Sequence, residues 1–269
     1  MIARVLAMLA VLGSTPVAAE IRQPTGKWVV NFADSQCILS RDYGTPESPL
    51  TLTFEPTAMG DRMKMVVLRS GKSHEILRRP AKIRFDPSQM KIETSASAYG
   101  VEDRDLVRID VGIDRTQIEG ALEAQSVTVD AQDLVNLSFV LPGFRSALKV
   151  LDACRADLLA TWGIPVELQA KFRTPAKPIK GSLAAYFSAN DNPTSGSGKN
   201  SHGRVRARIG IEASGGVSRC DVVSSSGSKL FDDTTCKIIL KRVRYMPALD
   251  VDGKPMPSID IADVSWLAP

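Results

Sequence analysis

Hydrophobic and polar residues alternate in short runs over most of the first half of the chain. Trp28, Val30 and Phe32 take every second position, as do Leu50, Leu52 and Phe54, and then Met63, Met65 and Val67. Val107, Ile109, Val111 and Ile113 repeat the pattern with Arg108 and Asp110 between them, and Val127, Val129, Val135, Leu137, Phe139 and Leu141 close the series. Successive side chains of a strand point to opposite faces. Period-two runs separated by Gly, Pro, Asp and Ser clusters therefore predict an antiparallel sandwich or barrel with one face buried and one wet. The period then changes. Phe144, Ala147, Leu148, Leu151, Cys154, Leu158 and Trp162 recur every three or four residues, the spacing of one helical stripe. Pro142-Gly143 precedes that helix, and Gly163 and Pro165 end it. Residues 20–164 read as a β-rich N-terminal domain closed by one helix.

The pattern weakens over residues 165–202. Lys171, Pro175, Lys177, Pro178 and Lys180 make an extended basic stretch, and an Asn-, Ser- and Gly-rich run follows, the composition of a flexible linker. One apolar island, Leu183-Ala184-Ala185-Tyr186-Phe187, is expected to pack on a domain. Order returns in residues 203–269. Val205, Ala207, Ile209 and Ile211 alternate with Arg204, Arg206, Arg208 and Glu212, a strand with one basic face. Gly215-Gly216 marks a hairpin turn into a second strand, which Ser224 to Gly227 break. A helix is expected to begin between Ser228 and Asp232. Asp232 and Asp233 fall in its first turn and Lys237, Lys241, Arg242 and Arg244 near its end, a distribution that suits the helix dipole. Cys236, Ile239, Leu240 and Val243 are expected on its inner face. Asp252-Gly253 then turns the chain into a last strand. The fold class expected is α+β, with an antiparallel β domain followed by a small β-β-α-β module.

Residues 1–19 read as a signal peptide. Arg4 precedes the apolar residues 5–12, and Pro16 and the small residues Val17-Ala18-Ala19 lead to an expected cleavage before Glu20. The apolar run is well below the roughly 20 residues that cross a bilayer, so no span is expected in the mature chain. An even number of cysteines, four, in an exported chain points to disulfides. Three pairings are open. Position favours Cys37 with Cys154, which bracket the β-rich domain, and Cys220 with Cys236, which share one small module.

The remaining chemistry mostly excludes. Net charge is only +4, with acids and bases interleaved, so nucleic acid is not an expected partner. With two histidines, His74 and His202, and no Cys-x-x-Cys, no metal site or cofactor is expected. Ser73-His74-Glu75 joins a hydroxyl, an imidazole and a carboxylate, but neighbours on a strand point to opposite faces and form no triad. Arg78-Arg79 before Pro80 reads as a solvated turn. Glu102, Asp103, Asp105 and Asp110 with Arg104 and Arg108 read as an ion-paired surface. No catalytic residue emerges. An enzyme would require a deep pocket lined by converging ionisable groups.

The C-terminal stretch resembles the TonB C-terminal domain family. The likeness runs through Gly203-x-Val205, Gly216-Val217, Val223 with Ser225-Ser226-Gly227, Phe231-Asp232, Arg242 to Pro247-Ala248, and Asp252-Gly253-Lys254-Pro255. Phe231 stands where the family usually has leucine. Cys220 and Cys236 match a cysteine pair familiar in secreted relatives, and Ala185-Tyr186-Phe187 with Asp191-x-Pro193 resembles their lead-in. The resemblance implies a protein of the Gram-negative periplasm that contacts envelope proteins, outer-membrane transporter segments among them, by adding a partner strand to a sheet edge. The edge it implies is the last strand: Ser258, Ile259, Asp260, Ile261, Ala262, Asp263, Val264, Ser265 and Trp266. A homodimer is the alternative use of that edge. Energy transducers of the family keep an uncleaved membrane helix and a long Pro-rich reach, neither of which is expected here. The expectation is a binding or adaptor protein that does not transduce force. A transducer anchored by residues 1–19 is the alternative.

Overall fold

The computed structural model describes residues 19–33, 35–60, 62–101, 104–164, 167, 171–193 and 203–266. The signal segment expected at 1–19 lies outside them except for Ala19, as do Glu102, Asp103, Pro165 and His202.

The first half folds into strands β1 (Glu20–Arg22), β2 (Val29–Ala33), β3 (Gln36–Asp42), β4 (Leu50–Pro56) and β5 (Arg62–Ser70). There follow β6 (Leu77–Asp86), β7 (Met90–Gly100), β8 (Leu106–Asp114), a short helix α1 (Arg115–Glu119), β9 (Ser126–Asp130), β10 (Asn136–Val140) and helix α2 (Phe144–Thr161). The ten strands form one sheet in the order β1-β10-β9-β6-β7-β8-β5-β4-β3-β2. The expected antiparallel sheet holds for every neighbouring pair but one, since β1 runs parallel to β10.

The sheet curls until its two flanks meet. The meeting is made by side chains: Tyr43 Oη donates to Val140 O (2.8 Å), and Arg41 Nη1 (2.7 Å) and Trp28 Nε1 (2.9 Å) both donate to Pro142 O. The alternation read from the sequence selects the inner face. Leu52, Phe54, Met65, Val67, Ile109, Val111, Val127, Val129 and Phe139 are all fully buried there. Helix α2 packs its stripe on β2 and β3, with Phe144 against Phe54 (5.0 Å between ring centroids) and Trp28 (5.8 Å). Cys37 on β3 is bonded to Cys154 on α2, with Cα atoms 6.0 Å apart.

Strands β6 and β7 were not anticipated. Their inner positions include Ala81, Ala96 and Ala98 beside Ile83, Phe85 and Ile92, so small residues blunt the apolar signal. Pro80 lies beyond the end of the β9 ladder, where the sheet is locally an edge and a residue without an N–H is tolerated. Arg78-Arg79 therefore belongs to β6 and not to a turn, and Arg79 pairs with Asp133 (2.8 Å). Ser73, His74 and Glu75 sit on the β5–β6 loop and not on a strand, with His74 and Glu75 exposed and Ser73 Oγ donating to Glu75 O (2.8 Å).

The C-terminal part contains β11 (Lys177–Pro178), two 3-10 turns (Leu183–Tyr186 and Ala189–Asp191), β12 (Gly203–Ile211), β13 (Val217–Ser224) and α3 (Lys229–Arg242). Three two-residue strands, β14 (Tyr245–Met246), β15 (Ala248–Leu249) and β16 (Pro255–Met256), lead to β17 (Ser258–Trp266). Strands β13, β12 and β17 form an antiparallel sheet in that order, and α3 covers one of its faces. The hairpin between β12 and β13 requires glycine at 215. Its φ is +83°, and a Cβ there would collide with Tyr245 O, while Tyr245 N donates to Gly215 O (2.9 Å). Cys220 is bonded to Cys236, with Cα atoms 5.5 Å apart.

Of the inner-face residues expected on α3, Ile239 and Val243 are buried and Cys236 packs on the module core, while Leu240 is not covered and the buried stripe extends further toward the N-terminal end. Phe231, Thr235, Ile238 and Ile239 are buried, a stripe at i, i+4, i+7 and i+8, whereas Leu240 is 42% exposed. Thr235 hid the stripe because it is polar; its Oγ1 accepts the Trp266 indole N–H at 2.9 Å. Trp266 also stacks on Phe231 (5.8 Å).

Residues 173–191, expected in a linker, lie against this module. Arg173 N donates to Leu249 O (2.9 Å) and Leu249 N to Thr174 O (2.9 Å), and β11 pairs with β14. Tyr186 is buried in the module core with its hydroxyl on Arg244 O (2.9 Å). Arg242 and Asp191 form an ion pair at 2.7 Å.

Candidate functional site

The resemblance directs attention to β17, and the sheet order places it at an edge, with β12 its one ladder partner among the described residues. Ser258, Asp260, Ala262, Val264 and Trp266 alternate toward the helix-covered face. Ser258, Ala262 and Trp266 are buried there, and Val264 packs against the module core. Ser258 Oγ is buried without a hydrogen-bond partner among the described residues. Ile259, Ile261, Asp263 and Ser265 alternate onto the opposite face. They stand across from Gly210, Arg208, Arg206 and Arg204 of β12.

Asp260 has an unusual environment for a strand carboxylate. Tyr245 Oη donates to its Oδ2 (3.0 Å) and the Ile261 N–H to its Oδ1 (2.8 Å). Burial raises its pKa above the ordinary aspartate value, opposed by those two donors. The Tyr245 hydroxyl is likewise pushed up, by burial first and by Asp260 second. Asp263 goes the other way. Burial works to raise it, but Arg204 and then Arg206 outweigh that and hold it below the ordinary value. Arg204 chelates Asp263 through Nε and Nη2, and Arg206 Nε reaches the same carboxylate at 3.2 Å.

The basic face of β12 is an internal interface. Arg206, 7% exposed, donates from Nη2 to Gln36 Oε1 of β3 (2.9 Å). Arg208 donates from Nη1 to the Trp162 carbonyl (2.9 Å) just past α2, and from Nη2 to Asp221 (3.0 Å). A cation on the final carbonyls of a helix satisfies acceptors that have no partner within the helix. Val223, Ile259 and Ile261 pack against the N-terminal core, which extends to Leu159, Trp162 and Ile164. The C-terminal sheet thus lies between α3 on one face and the N-terminal domain on the other.

A second charged group lies across the same seam. Arg108 holds Glu55 (2.7 Å) and Asp110 (2.6 Å) on the outer face of the large sheet, and both Glu55 and Arg108 act electrostatically on Arg204. Arg108 stands opposite Leu68 and Glu55 opposite Lys64, so the bridge between them crosses Val66, whose side chain is fully buried. Of the acid–arginine cluster read from the sequence as surface, Arg108 and Asp110 belong to this half-buried group, whereas Arg104 is exposed. Asp105 is separate, paired with Lys72 at 3.2 Å.

The four cysteines fall into two pairs, and the nine residues of the last strand form one edge. Sequence reasoning missed Gln36, Trp162 and the docking role of Arg206 and Arg208. The usable signal was the run of arginines on one strand face with Asp221 and Asp263 opposite, which pairs charges across a sheet as a covered face requires. Among the described residues no helix is long and apolar enough to cross a membrane.

Compared with curated proteins, the chain matches none. Residues 193–261 match the family model described as Gram-negative bacterial TonB protein C-terminal. The match begins at the end of the lead-in, covers β12, β13 and α3, and stops at Ile261 within β17. It leaves the ten-stranded domain unassigned. The C-terminal module of this chain is a TonB C-terminal domain.

Proposed function

We propose that this protein is an adaptor of the Gram-negative periplasm that offers β17 to an extended segment of an envelope protein, outer-membrane transporter segments included, without transducing force. The observation that carries the reading is the position of β17: an open edge in a TonB C-terminal domain whose broad face is already taken by the N-terminal domain. Strand addition draws affinity from main-chain hydrogen bonds and specificity from alternate side chains. The two disulfides support an oxidising compartment. The packing of residues 173–191 on the module supports a short tether in place of a long reach. The ten-stranded domain then serves as a platform that fixes the direction of the edge, and the protein is read as a binder and not an enzyme.

A photo-crosslinking residue in place of Ser265, which is exposed at the end of β17, tests this in intact envelopes. Crosslinks to an envelope protein, lost in a folded Ser265→Pro variant, are expected. Crosslinks to a second copy alone would make the edge a dimer contact, and none at all with the fold intact would sink the reading. The family match also favours a second reading, a TonB-type transducer that keeps residues 1–19 as an anchor. N-terminal sequencing of the mature protein separates the two, since a start at Glu20 excludes the anchor.

A further inference from the structure

The inner face of the large sheet is apolar along its length but ends in two arginines. On β5 the inner positions run Met63, Met65, Val67 and then Arg69, by the period-two rule. On β1, Arg22 stands beside the fully buried Phe139 of β10, and the side chains of a parallel pair share a face. Strands β1 and β5 are far apart in the sheet order. The curl nevertheless brings both arginines to the lining of one cleft of about 400 Å³ at the mouth of the rolled sheet. A volume of that size accommodates a small molecule or the end of a peptide.

The acids at this cleft are already engaged. Asp133 is held by Arg79 (2.8 Å), and Glu20 pairs with Nη2 of Arg22 (2.8 Å). Arg22 Nε is nevertheless buried with no hydrogen-bond partner among the described residues. Arg69 has no carboxylate among the described residues, and its Nη1 reaches only the carbonyl of Ser70 (3.2 Å). Leu50, Leu134 and Leu137 supply an apolar wall beside the two guanidiniums. An unmatched guanidinium N–H in a half-buried site is costly unless an anion meets it. The planar donor fork suits a carboxylate in particular.

We infer that this cleft binds a carboxylate attached to an apolar group, the carboxylate on Arg22 and Arg69 and the apolar part on the leucine wall. The chemistry is shared by a free aliphatic acid and by the C-terminus of a peptide ending in an apolar residue. The site is independent of the C-terminal edge strand.

The test is titration of the full-length mature protein, followed by the arginine Nε–Hε signals in NMR. The probes are hexanoate, hexanamide, acetyl-Ala-Ala-Leu with a free carboxylate, its C-terminal amide, and inorganic phosphate. The free carboxylates are expected to move the Arg22 and Arg69 signals while the amides do not. Tighter binding of hexanoate or of the peptide identifies the source. Arg22→Gln and Arg69→Gln, made separately so that one misfolded variant leaves the other informative, should each weaken binding about tenfold. Equal binding of acid and amide, a stronger response to phosphate than to either carboxylate, or no shift up to about 10 mM probe would overturn the assignment.

Discussion

The two disulfides close loops of very different length, and this sets an order that can be measured. Cys37 and Cys154 are separated by 117 residues, and Cys220 and Cys236 by 16. In the loop-entropy relation, the first removes about 4.9 kcal/mol of unfolded-chain freedom at 25 °C and the second about 3.1 kcal/mol. The long loop also has a structural task. It ties β3, near one end of the sheet order, to the helix that follows β10, near the other, so it restrains the meeting of the two flanks of the sheet, where no backbone ladder closes the curl among the described residues. Both Cys37 and Cys154 are 2% exposed, so replacing them with alanine adds a small packing loss to the entropic one. The assay is urea unfolding of the Cys37→Ala/Cys154→Ala and Cys220→Ala/Cys236→Ala proteins against the parent. Trp28 reports the N-terminal core and Trp266 the module. The N-terminal pair should cost more, with the loss concentrated in the Trp28 transition. A larger loss from the short loop, or losses under about 1 kcal/mol from both, would refute the reasoning.

Two further outcomes follow from the seam and from β17. Arg206→Ala removes a buried guanidinium shared by Asp263 and Gln36, and should cost about 1–3 kcal/mol. Trp162, buried at the seam, should shift its emission to the red as the domains separate; unchanged emission would mean that the apolar contacts hold the domains alone. Carbon-detected NMR titration should place Asp263 below and Asp260 above the ordinary value of 3.8. A depressed carboxyl contributes stability present above 3.8 and lost as pH falls through its folded value. A raised one contributes stability present below 3.8 and lost as pH rises through its folded value. Asp260→Asn keeps one oxygen for the Ile261 N–H and turns its NH2 toward Tyr245 Oη, whose hydroxyl can rotate to accept. It should therefore gain stability relative to the parent as pH rises from about 3 to about 7, and a loss that grows across that range would contradict the sign.

Much of this protein was legible from periodicity because periodicity reports a residue's own environment. Leu50-Leu52-Phe54, the run from Val107 to Ile113, the stripe of α2 and the Gly215 turn each announce which side of a local element is covered. Failures occurred where the covered side carried small or polar groups. Ala81, Ala96 and Ala98 concealed β6 and β7, and Thr235 concealed the part of the α3 face that carries Phe231 and Ile238, because its partner is an indole N–H and not a hydrocarbon. Tyr186 stands in an apolar island of the sequence, but nothing local marks it as core of the module, since its partner Arg244 lies 58 residues away.

The candidate sites divide in the same way. The motif order of the C-terminal module is local and the chain carries it openly, and the resemblance it supports is what pointed to the last strand as an edge. The cysteine pairing was only favoured by position, since Cys37 and Cys154 lie 117 residues apart. Only the tertiary structure decided what the arginines meet. On an isolated strand, Arg204, Arg206 and Arg208 are a wet basic face. In the folded protein Arg206 is buried against Gln36 and Arg208 holds the carbonyl of Trp162. Arg22 and Arg69 come to one cleft only because a ten-stranded sheet accumulates enough curl to bring strands far apart in its order to the same mouth. A charged residue's role depends on its partner, and a partner supplied by a distant segment leaves no mark in the local pattern.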